Sequence, residues 1–125
     1  MPQTILIAAT DANIVYLLQR YAEASGFHVV SCGHEERLIG LAREFEPSLI
    51  VLEVEPPETA WRQCLKRLQE DAAVSKIPVV AYSCYDDIAC GQDSRFAGFL
   101  QKSVMYDDFV LALEKIGVHP VDLTE

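Results

Sequence analysis

Hydrophobic and polar positions follow two rhythms along this chain. Four segments carry apolar residues at i, i+3, i+4 and i+7, the spacing of an amphipathic helix. They are Ile14, Leu17, Leu18 and Tyr21; Leu38, Leu41, Ala42 and Phe45; Trp61, Cys64, Leu65 and Leu68; and Phe109, Ala112, Leu113 and Ile116. Between them lie short unbroken apolar runs such as Ile5-Leu6-Ile7-Ala8 and Leu49-Ile50-Val51-Leu52, the pattern of strands buried on both faces. The predicted strands span 4–9, 27–31, 48–54, 77–82 and 97–101. Gly26 follows the first helix as a stop signal, and Pro47 ends the second because it disfavours helix in the residue before it. A further helical region, 85–96, is weak: it contains Gly91 and has little apolar periodicity beyond Ile88. The order is strand, helix, strand, helix throughout, which implies right-handed crossovers and a parallel sheet covered on both faces.

Length sharpens this picture. At 125 residues the chain suits one compact domain with one sheet, here 1–118, with 119–125 as a tail or the start of a linker. Half of the residues are hydrophobic, enough for a sizeable core. No apolar stretch has the length of a transmembrane helix, and the N-terminus lacks the basic segment of a signal peptide, so a cytoplasmic protein without a membrane partner is expected. A net charge of −9 argues against a nucleic-acid partner, because binding to phosphates rests on Lys and Arg. The four cysteines, Cys32, Cys64, Cys84 and Cys90, show no metal-ligand spacing. Cys64 falls on a helical apolar stripe and is expected in the core. Cys84 has no basic activator nearby in sequence, and no redox role is assigned to it.

Candidate chemistry collects at the strand ends. Ala9 and Thr10 end the first run, Glu53 the third, Ser83 the fourth, and Lys102 follows the fifth through Phe99-Leu100-Gln101. In an open parallel sheet these positions share one edge, where such folds place their sites. The run Pro47-Ser48-Leu49-Ile50-Val51-Leu52-Glu53-Val54-Glu55-Pro56-Pro57, then Ile77-Pro78-Val79-Val80-Ala81-Tyr82-Ser83-Cys84, then Phe99-Leu100-Gln101-Lys102 resembles the receiver domains of response regulators. The resemblance extends from about Thr4 to Gly117. It implies a doubly wound, flavodoxin-like sheet in the order 2-1-3-4-5, a phosphoacceptor position at Glu53, and switch-type residues at Ser83, Phe99 and Lys102.

The departures from the family matter as much. Its first strand ends in a pair of acids that hold magnesium; here that pair is Ala9 and Thr10, and only Asp11 is acidic. Magnesium needs near-octahedral oxygen ligands, so no metal is expected, with Asp11 at most a weak ligand. Glu53 replaces the family's aspartate and places its carboxylate one methylene further out. In-line attack depends on placement, and an error of about 1 Å can cost roughly a hundredfold. Glu53 and Lys102 are expected to pair by charge. Ser103 replaces the proline that follows lysine in the family, and the stretch from Ser83 to Lys102 is a few residues shorter than usual. Trp61 is expected to be partly buried.

These features predict a degenerate receiver, a protein-interaction module that is neither an enzyme nor dependent on a cofactor. Its partner would be another protein or a second copy, bound on the face of the fourth helical region, the fifth strand and the last helix. The alternative is an atypical response regulator still phosphorylated, at Glu53 or elsewhere. A flavin carrier on the same fold would need a phosphate-cradling loop after the first strand, and Ala9-Thr10-Asp11-Ala12-Asn13 has no glycine. No Ser/His/Asp or Cys/His grouping is evident, since His28, His34 and His119 fall on other segments.

Overall fold

The computed structural model describes residues 3–33, 37–54, 58–83, 95–101 and 105–118, with the backbone alone at 58–60 and 83. Nine elements follow in the order β1 (Thr4–Ala8), α1 (Ala12–Ala24), β2 (His28–Cys32), α2 (Leu38–Phe45), β3 (Leu49–Glu53), α3 (Glu58–Glu70), β4 (Val79–Ser83), β5 (Gly98–Gln101) and α4 (Tyr106–Ile116). The strands form one parallel sheet in the order β2-β1-β3-β4-β5, as the sequence predicts. The predicted helical region at 85–96 lies outside the described residues except for Arg95 and Phe96.

Strand ends differ from expectation for identifiable reasons. β4 begins at Val79 because Pro78 has no N–H to give the ladder; its carbonyl still accepts from Ile50 N–H at 3.0 Å. β2 begins one residue late because the Phe27 amide turns back to the Ala22 carbonyl at the end of α1. Helix ends obey their local chemistry. Asp11 caps α1 by accepting from Asn13 N–H at 2.9 Å. α2 stops at Phe45, with Glu46 in the left-handed region (φ 46°) just before Pro47. α4 stops at Gly117, whose φ of 84° suits glycine, and Asp108 accepts from Met105 N–H at its start.

Alternate strand residues serve opposite layers. Leu6, Ala8, Ile50, Leu52, Val79 and Ala81 meet α2 and α3 through Leu38, Ala42, Trp61, Cys64, Leu65 and Leu68. Ile5, Ile7, Leu49, Val51, Val80 and Leu100 meet α1 and α4 through Leu18, Ala22, Phe109 and Leu113. The helical stripes therefore face the sheet as their spacing requires, except at Phe45, the last residue of α2, which is 40% exposed. Cys64 is in the core as expected, and Cys32 is buried with it.

Trp61 corrects one expectation. It is 3% exposed, not partly buried, because its ring packs on Phe96 (centroids 5.6 Å apart) while the Arg62 guanidinium covers it at 4.7 Å. α2 is also tied to the end of α3. Arg43 Nε donates to Asp71 Oδ2 at 2.9 Å, and Nη2 donates to the same oxygen. The hydrogen bonds from Arg43 and from Ala73 N–H hold the Asp71 carboxyl below its usual range.

Candidate functional site

The parallel order brings the ends of β1, β3 and β4 to one edge. Ala8 pairs with Leu52, Glu53 with Tyr82, and Ser83 with Gln101. Of the predicted site residues, Ala9, Thr10, Asp11, Glu53 and Phe99 are described with their side chains. Ser83 is placed by its backbone as the last residue of β4, and Lys102 lies outside the described residues.

Glu53 is the one buried charged side chain among the described residues, at 9% exposure. Its Oε1 accepts two hydrogen bonds from Thr10, from the backbone N–H at 2.9 Å and from Oγ1 at 3.0 Å. Its Oε2 is buried with no hydrogen-bond partner among the described residues. Ala9 is buried, whereas Thr10 and Asp11 are exposed. Phe99 is half-buried and packs against the cluster on the α2 and α3 side.

The Thr10 contact was not legible as such in the sequence. Thr10 stands out there as a lost acid, and Glu53 as a carboxylate awaiting Lys102. The available signal was the pairing of a hydroxyl at the end of β1 with a longer acid at the end of β3.

The donor set does not fit magnesium. Ala9 has no side-chain oxygen, the Thr10 hydroxyl donates to Glu53, and the Asp11 carboxylate caps α1. Among the described residues no group of three His, Cys, Asp or Glu could hold a metal ion. A separate open groove of about 660 Å³ lies at the C-terminal ends of α2 and α3, lined by Ile39, Arg43, Arg67, Glu70 and Asp71 among others. In a parallel α/β layer those helix ends lie at the opposite edge of the sheet from Glu53. No helix among the described residues is long and apolar enough to cross a membrane.

A doubly wound parallel sheet with its polar residues at the strand C-termini defines a flavodoxin-like domain. No family model matches the chain. The polar-differentiation response regulator DivK of Brucella anthropi is 28% identical over 85 residues, covering 68% of this chain and 69% of that protein. A response regulator from Desulfuromonas acetoxidans superimposes with a TM-score of 0.79 at 20% identity, over 91% of this chain and 95% of that one. The chemotaxis protein CheY4 of Vibrio cholerae gives a TM-score of 0.82 at 13% identity, over 93% and 99%. The fold of this chain is the one these response regulators share.

Proposed function

We propose that this chain is a receiver-type module of two-component signalling that works through protein contacts and does not run a phosphorylation cycle. One observation carries the reading: Oε1 of Glu53, at the position that corresponds to the phosphoacceptor, is already held by both donors of Thr10. Those bonds fix where the carboxylate lies, and its other oxygen, Oε2, is buried, so neither oxygen is open to an incoming phosphodonor. Without an acidic pair, the charge developing on a transferring phosphoryl group would also lack its cation. In this reading Ala9 and Thr10 are the degenerate acid positions. Ser83, Phe99 and Lys102 are retained switch-type residues, and Lys102 supplies the counter-charge to Glu53. The module spans 1–118, 119–125 forms a tail, and the setting is cytoplasmic, with neither nucleic acid nor membrane as partner.

Incubation with acetyl phosphate, or with a phosphorylated histidine kinase, should leave Glu53 unlabelled. Mass spectrometry of the intact and digested protein reads this directly. An acid-labile phosphoryl adduct mapped to Glu53 would overturn the proposal.

The working surface in this reading includes β5 and α4, together with the fourth helical region. Leu111 is 50% exposed on α4, one turn from Asp107, Asp108, Glu114 and Lys115, an apolar centre with a mainly acidic rim. Such a surface suits a partner that offers apolar contact ringed by Lys or Arg, since apolar anchors supply affinity and charges supply orientation. Tyr106 is a weaker anchor than its sequence position implies. Its ring stands edge-on to Tyr21 at 5.7 Å, and its hydroxyl lies 3.2 Å from Ser25 Oγ, so it seals the seam between α1 and α4. Leu111→Arg should reduce the proteins retained by immobilised domain about tenfold or more, the scale of a lost hot spot. Its fold should be unchanged by circular dichroism. Tyr16→Ala, on the outer face of α1, should leave retention intact. The reverse pattern would move the working face to α1.

A further inference from the structure

We propose that Thr10 and Glu53 form a latch that fixes the turn between β1 and α1 against the end of β3, and that the extra methylene of glutamate is what closes it. The two residues are 43 positions apart, yet both donors of Thr10 converge on one oxygen. Glu53 is nine-tenths buried, which shelters the acceptor end of both bonds, while Thr10 itself is exposed. Thr10 directly precedes Asp11, the N-cap of α1. Holding its amide therefore sets the angle at which α1 leaves the sheet, and the neighbouring Ala9 is pinned by its own N–H to the Cys32 carbonyl at 3.2 Å.

Aspartate at position 53 would have the same charge but a reach about 1.5 Å shorter, one carbon–carbon bond. A contact of 2.9 Å cannot survive that loss without backbone movement. The glutamate is thus defined by its length, and Thr10 is its complement. The latch needs no bound ion, and it keeps this end of the sheet in one arrangement. This inference deepens the proposed function and rests on its view of Glu53 as an unreactive group. Its readout is independent of phosphorylation, so the two can fail separately.

The test is amide hydrogen exchange at Thr10, followed by NMR on the full chain. Glu53→Asp should speed exchange of the Thr10 amide by about tenfold or more, the scale of a lost hydrogen bond to a charged group. Glu53→Gln keeps an acceptor oxygen at the same reach and should stay within about threefold of the natural protein, a neutral acceptor being somewhat weaker. Thr10→Ser, which keeps both donors, should match the natural protein. Unchanged protection in Glu53→Asp would overturn the latch, and so would equal loss in Glu53→Gln and Glu53→Asp, because charge and not reach would then be decisive. If Glu53→Asp does not fold, Thr10→Val decides: it removes the hydroxyl alone and should loosen the amide severalfold, and no change would sink the proposal.

Discussion

Trp61→Ala should lower the free energy of unfolding by about 3–5 kcal/mol, the usual cost of removing a buried aromatic side chain. Trp61 is 3% exposed and shares its cluster with Cys64, Leu65 and Leu68 on α3 and with Val54 just past β3. Its removal deletes the contact with Phe96 and leaves Arg62 without the ring it covers. A domain of this size has only about 5–15 kcal/mol in hand, so the variant should lose a large share of its stability. Urea titration followed by circular dichroism measures the effect without the lost fluorophore. A cost below about 1 kcal/mol, the range of ordinary surface changes, would mean that Trp61 is not the core residue described here.

Phe109→Ala should cost about as much, roughly 3–5 kcal/mol, on the opposite side of the sheet. Phe109 is 1% exposed, belongs to the buried face of α4 and lies 6.0 Å from the Tyr21 ring. Losing it should loosen the whole α1–α4 seam, including the contact between Tyr106 and Ser25. The expected signature in urea titration is a lower midpoint with an unchanged slope. A lower slope as well would indicate that α4 detaches before the rest of the domain unfolds. Because α4 carries Leu111, the same variant should also weaken partner retention, whereas Trp61→Ala should weaken it only through overall stability.

Much of this molecule is legible in its sequence because its elements obey local periods. The apolar runs became the strands, and the stripes at Leu18, Leu38, Leu65 and Phe109 became the buried faces of the helices. The shared edge of Ala9, Glu53 and Ser83 followed from reading the runs as parallel strands, whereas the strand order came from resemblance, and the pairing of the strands bears out that order. Other features escaped for a common reason: each joins side chains far apart in sequence by their reach. Thr10 meets Glu53 across 43 residues, Arg43 meets Asp71 across 28, and Ser25 meets Tyr106 across 81. Trp61 heads the apolar stripe of α3, which points inward, but the distant Phe96 that completes its burial has no local signal. Periodicity tells which face of an element is buried. It says nothing about which neighbour completes the burial.

The alternation along β5 limits how a message could travel through this domain. Phe99 belongs to the layer of α2 and α3, while its neighbour Leu100 belongs to the layer of α1 and α4. Among the described residues the Phe99 ring packs on the α2 and α3 side alone. β5 is four residues long and sits at the end of the sheet, bonded to β4 on one side. Of the five strands it shares the fewest paired residues with its neighbours, so a small slide of β5 would disturb the sheet least.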